Sequence, residues 1–83
     1  MSRLKGKTTI VTGGGQGIGA AIALRFATEG ARVVIAELNQ ETGDATARDI
    51  AAQTGADVIC IQTDVSEPDS IKNMHDKAVA AFG

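Results

Sequence analysis

Residues 8–19 read Thr8-Thr9-Ile10-Val11-Thr12-Gly13-Gly14-Gly15-Gln16-Gly17-Ile18-Gly19. A β-branched run without polar alternation is the pattern of a strand buried on both faces, as in a parallel sheet. It enters closely spaced glycines, beyond which Ile18, Ile22 and Phe26 recur at helical spacing alongside Ala20, Ala23, Leu24 and Ala27. Strand, glycine loop and a helix with a wide apolar face therefore follow one another directly.

Outward from this segment the alternation repeats. Gly30 is placed to end the first helix, and Ala31-Arg32-Val33-Val34-Ile35-Ala36 reads as a second buried strand with Glu37 at its end. Asn39 is a natural N-cap for a second helix reaching about Thr54, with Ala47, Ile50, Ala51 and Thr54 as its buried stripe and Gly55 as its stop. Gly43 is unfavourable in its first turns. A third strand covers residues 58–63. Ser66 and Asp69 then have the spacing of a capping box, with Pro68 tolerated in the first turn of a third helix whose stripe is Ile71, Met74, Ala78 and Phe82. Three strands alternating with three helices predict an α/β fold: a Rossmann-like three-layer half-unit (βαβαβα) with parallel sheet order 3-2-1. Residues 1–83 then form the N-terminal part of a single domain. The first strand would keep a bare edge, so the sequence reads as cut before a fourth strand.

Composition narrows the chemistry. The 83 residues are 43% hydrophobic and 22% charged, with net charge −2, one Cys, one His and no Tyr or Trp. Dispersed, slightly acidic charge gives no footprint for nucleic acid or an anionic membrane. No apolar run is long enough for a signal peptide or a membrane span, and lone Cys60 cannot form an internal disulfide, which suits a reducing cytoplasm. No residue can act as a phenolic acid, and one His and one Cys leave little scope for triads or metal clusters. Cys60 reads as a small buried hydrophobe, and His75, Arg25 and Arg32 read as surface residues.

Glycines between a strand and a helix let the backbone approach an anion, which the helix N-terminal N–H groups and macrodipole favour. Two registers fit a pyrophosphate: Gly15, Gly17 and Ala20 as G-x-G-x-x-A, or Gly13, Gly17 and Gly19 as G-x-x-x-G-x-G. A Walker A loop is excluded because Ala20 and Ala21 stand where Lys and Ser or Thr are required. Glu37, twenty positions beyond Gly17, can accept hydrogen bonds from a ribose. Its charge would repel a 2′-phosphate, and Gln16, Leu38 and Asn39 supply no compensating cation, so the pattern favours NAD over NADP. Asp64, after the third strand, can hold an adenine amino group or simply start the next turn; spacing leaves both open.

The string from Thr12 to Gly19 resembles the T-G-x-x-x-G-[IL]-G signature of the short-chain dehydrogenase/reductase family. Leu4-Lys5-Gly6-Lys7, Glu37, Asp64-Val65 and Ala80-Ala81-Phe82-Gly83 are similar to the rest of that family's N-terminal third. The resemblance selects the second register and implies that Gly13, Gly17 and Gly19 approach the pyrophosphate. Ile18 then adds a backbone contact, Glu37 binds the ribose, where Asp is commoner, and Asp64 with Val65 brackets the adenine. With Gln16 and Leu38 these complete the candidate cofactor-binding set; no residue is assigned to catalysis or to a metal. The implied activity is hydride transfer between NAD and a small-molecule alcohol or ketone, in a parent that is a dimer or tetramer. The family's catalytic Ser, its Y-x-x-x-K pair and its Asn-Asn-Ala-Gly segment lie downstream of the matching region. Two other readings are a non-catalytic nucleotide-binding module and an S-adenosylmethionine methyltransferase, the latter disfavoured because Thr12 stands where an acid would precede the glycine loop.

Overall fold

The computed structural model describes residues 4–13 and 16–83. Strand β1 (Thr8–Thr12) leads to helix α1 (Gly17–Thr28), strand β2 (Arg32–Glu37), helix α2 (Gln40–Thr54), strand β3 (Val58–Gln62) and helix α3 (Pro68–Phe82). The strands form one parallel sheet in the order β1-β2-β3, the predicted 3-2-1 arrangement. In register, Val11 lies beside Ile35 and Ile35 beside Cys60, while Ile10 lies beside Val34 and Val34 beside Ile59.

Strand periodicity divides the core in two. Val11, Val33 and Ile35 point to the face covered by α1 and α2, where they meet Ala23, Ala27, Ala47 and Ile50. Val34, Ala36 and Ile61 point to the opposite face, where α3 supplies Met74 and Ala78. Val33, Val34 and Ile35 are fully buried, each contributing roughly 1.5–3 kcal/mol of hydrophobic stabilisation. Helix α3 packs over β2 and β3, so Ile10 on the same face of β1 is 42% exposed.

The helix stripes need correction. In α1 the buried residues are Ala23 and Ala27, whereas Ile18 is 81% and Ile22 41% exposed. Small side chains let α1 lie close against Val11, Val33 and Ile35, and the large residues are displaced to the rim of the contact. In α3, Met74 and Ala78 are buried but Ile71 is exposed. Helix α2 follows expectation more closely: Asn39 Oδ1 accepts the Thr42 N–H at 3.0 Å, Gly55 forms the C-cap, and Ala47 and Ile50 are buried. Gly43 is buried too, for a reason the sequence pattern conceals. A Cβ there would overlap Cys60 Sγ and stand 3.1 Å from Glu37 Cβ.

The predicted capping box at Ser66 and Asp69 does not form. The N-cap of α3 is Glu67, without a side-chain cap, and Pro68 opens the helix. Ser66 Oγ instead donates to Asp64 Oδ1 at 2.6 Å, because a carboxylate is a stronger acceptor partner than a backbone N–H is a donor partner for the hydroxyl.

Candidate functional site

Parallel topology brings the ends of all three strands, and the loops that follow them, to one edge of the sheet. Gly13 closes β1, its N–H donating to the Ala36 carbonyl at 2.8 Å. Gly13 and Gly17 have φ of +66° and +55°, values that L side chains adopt rarely, and an added Cβ at either would meet nothing within 4 Å. The glycines are therefore set by backbone conformation, with open space before them. Gly14 and Gly15 lie outside the described residues, so the register beginning at Gly15 does too.

The start of α1 differs electrically from the other helices. Gln16 occupies the N-cap with no side-chain cap hydrogen bond, and the first turn, which holds Ile18 and Gly19, contains no acid. Helix α2 is capped by Asn39 and carries Glu41 in its first turn; α3 begins with Pro68 and carries Asp69. Among the described residues, the positive dipole end of α1 thus has neither a capping side chain nor a first-turn acid, an arrangement that favours an anion.

One strand away, Glu37 ends β2. Its Oε2 accepts the Asn39 N–H at 3.2 Å, and its carbonyl accepts the Thr63 N–H at 2.9 Å, so both the side chain and the backbone of this acid are tied to the sheet edge. Leu38, next in the chain, is 62% exposed. Beyond β3, Asp64 Oδ1 accepts from both the N–H (3.0 Å) and the hydroxyl of Ser66, and the Asp64 N–H donates to Ser70 Oγ at 2.8 Å. The two bonds from Ser66 hold the Asp64 carboxyl below the usual aspartate pKa. The turn-starting role of Asp64 is realised through one carboxylate oxygen. Val65 beside it is 59% exposed.

All nine candidate residues thus stand on the carboxyl edge, the side on which open α/β sheets take ligands. Ser70, Gln40 and Gln62 also organise this edge, and sequence reading did not single them out. Their hydrogen bonds join residues 6 to 24 positions apart, a pairing without a local signal. At the opposite edge an open cleft of about 380 Å³ is bordered by Lys5, Thr28, Arg32, Thr54 and Asp57. It lies against the C-termini of α1 and α2, where the helix dipoles disfavour a phosphate. Cys60, partly buried beneath α2, has its thiol pushed up to about 11 by burial and by the negative charges of Asp44 and Glu37. His75 is exposed. Among the described residues no group of three or more His, Cys, Asp or Glu could hold a metal ion, and no helix is long and apolar enough to cross a membrane.

Comparison with known proteins agrees with this fold. The family model for short chain dehydrogenase matches residues 7–83. An oxidoreductase of Thermotoga maritima is 49% identical over 80 residues, covering 96% of this chain and 31% of that protein. A 2,5-dichloro-2,5-cyclohexadiene-1,4-diol dehydrogenase of Sphingobium indicum is 46% identical over 82 residues, covering 99% of this chain and 32% of that protein. Among solved structures, a hydroxysteroid dehydrogenase from Escherichia coli superimposes with a TM-score of 0.92 at 34% identity, over 98% of this chain and 33% of its own. The chain spans about a third of the length of the curated relatives it matches.

Proposed function

Because the chain belongs to the short-chain dehydrogenase family, we propose that it is the cofactor-gripping segment of an NAD-dependent oxidoreductase acting on a small-molecule alcohol or ketone. The observation that carries this reading is the pairing of an acid-free, uncapped helix N-terminus at α1 with a tethered carboxylate, Glu37, at the end of the neighbouring strand. One feature attracts a pyrophosphate; the other accepts ribose hydroxyls and repels a 2′-phosphate.

Gly13, Gly17 and Gly19 admit the pyrophosphate to the start of α1, with Gln16 and Ile18 lending backbone N–H groups. The Glu37 carboxylate accepts from the ribose, and Leu38 adds apolar cover. Asp64 Oδ1 is engaged by Ser66, and the other carboxylate oxygen faces the adenine amino group while Val65 packs on the ring. When bound, the nicotinamide supplies the hydride donor or acceptor. The proton-transfer groups come from the remainder of a longer chain, whose next strand pairs with β1 in the same domain. The parent enzyme works in the cytoplasm as a dimer or tetramer.

The test is cofactor discrimination in the full-length protein. Replacing Glu37 by Ala removes a charge-assisted acceptor of about 1.5–3 kcal/mol, so the preference for NAD over NADP should narrow roughly ten- to hundredfold. Competitive titration of the two cofactors reads this directly. An unchanged ratio would reduce Glu37 to a surface acid.

A further inference from the structure

The loop that carries Glu37 is held from β3 by two glutamines. Gln40, the first residue of α2, accepts the Gln62 backbone N–H on Oε1 at 3.0 Å. Its Nε2 donates to Asp44 Oδ1 at 2.7 Å and to the Cys60 carbonyl at 3.4 Å. Gln62, the last residue of β3, returns the contact: its side-chain Nε2 donates to the Leu38 carbonyl at 3.2 Å.

Strand geometry explains why this carboxamide fits. The Thr63 N–H points at β2, donating to the Glu37 carbonyl. Backbone groups alternate along a strand, so the Gln62 N–H and the Cys60 carbonyl point away from β2, on the outer edge of β3. Gln40 presents one acceptor and one donor to that pair, as a peptide group of an adjoining strand would. The α2 backbone can come this near because Gly43, one turn on, has no side chain to meet Cys60 Sγ and Glu37 Cβ. Residues 37–40 are consequently sutured to β3 at both ends of the connection, by the Gln62 side chain at Leu38 and by the Gln40 side chain at the start of α2.

We propose that Gln40 and Gln62 are positioning residues for cofactor discrimination: they act through the β2–α2 connection to fix where the Glu37 carboxylate meets the adenosine ribose. This rests on the reading of Glu37 as the ribose acceptor. A carboxylate free to swing away from a 2′-phosphate repels it less, and one not held toward the ribose accepts less well from its hydroxyls. Losing either glutamine therefore weakens NAD and spares or improves NADP.

The experiment is titration of the full-length protein with NAD and NADP, for the parent sequence and for Gln40→Met, Gln62→Met, Glu37→Ala and Glu37→Ala/Gln62→Met. Each methionine variant is expected to shrink the NAD-to-NADP affinity ratio by about three- to tenfold, the scale of one hydrogen bond. The ratio is insensitive to partial unfolding, because a smaller folded fraction lowers both apparent affinities alike. If Gln62 acts through Glu37, adding Gln62→Met to Glu37→Ala changes the ratio no further. Equal losses for both cofactors, or a full Gln62→Met effect in the Glu37→Ala background, overturn the positioning role and leave the Glu37 reading standing. No change of ratio in Glu37→Ala itself removes that reading, and the proposal with it.

Discussion

Asp64 holds its turn through its side chain and its backbone at once. Its Oδ1 is saturated by the N–H and hydroxyl of Ser66, and its backbone N–H is held by Ser70. The folded carboxyl is therefore more acidic than the unfolded one, led by the Ser66 hydroxyl and then by the Ser66 N–H. For a carboxyl with a depressed folded-state pKa, the turn's contribution is present above the ordinary aspartate value and is lost as pH falls through the lowered one. The Ser66 amide resonance should accordingly titrate with a midpoint below that of an aspartate in an unstructured peptide. A midpoint at or above it would mean that the turn is open in solution. The sequence left Asp64 suspended between turn and ligand because spacing cannot divide a carboxylate into two oxygens; in the structure both side-chain bonds to Ser66 fall on Oδ1.

Helix α2 carries the lesson for elements. Propensity counts against Gly43, since Ala in a helix interior is favoured by about 0.5–1 kcal/mol. The packing reverses that sign. A methyl group at this position overlaps Cys60 Sγ and crowds Glu37 Cβ at 3.1 Å, so Gly43→Ala should destabilise the full-length protein by roughly 1–3 kcal/mol. Adding Cys60→Ala removes the sulfur and should recover part of the loss; chemical denaturation of the single and double variants measures the coupling. Net stabilisation by Gly43→Ala would show that α2 stands farther from β3 than described. Element type and order were legible because each strand is a β-branched run and each helix ends near a glycine or begins at a capping residue. The facing of α1 was not, since Ile18 and Ile22 have the right spacing for a core stripe yet Ala23 and Ala27 take it. Hydrophobic size does not report how closely a helix approaches a sheet.

Across the whole molecule, α1 and α2 share one face and α3 crosses to the other, while the parallel direction of the strands places every strand end that carries a candidate residue on a common edge. That the candidate residues share one edge was therefore readable from the strand–helix alternation and the glycine loop. The glutamine bonds that shape it were hidden, because Gln40 and Gln62 lie 22 positions apart and meet only through the sheet register. At the opposite edge, Arg32 at the start of β2 donates from Nη1 to the Phe82 carbonyl at the end of α3, at 3.0 Å. A cation on a helix C-terminus is worth about 0.3–1 kcal/mol at an exposed position. Arg32→Met should lower the unfolding free energy of the full-length protein, read by chemical denaturation, by that small amount and leave the NAD-to-NADP ratio untouched. A shifted ratio would mean that the two edges communicate.

The amino edge is joined mainly through the backbone: the Leu4 N–H reaches the Glu29 carbonyl, the Arg32 N–H that of Lys7 and the Val33 N–H that of Asp57. These bonds involve backbone groups that every residue but proline possesses, so they persist through most side-chain replacements. The carboxyl edge is joined largely through side chains, Glu37 to Asn39, Gln40 and Gln62 to each other's strand and loop, and Asp64 to Ser66. The molecule thus has a floor written mainly in main chain and a rim written largely in side chains, and the rim is the part whose shape and charge mutation can rewrite while the floor keeps the same architecture.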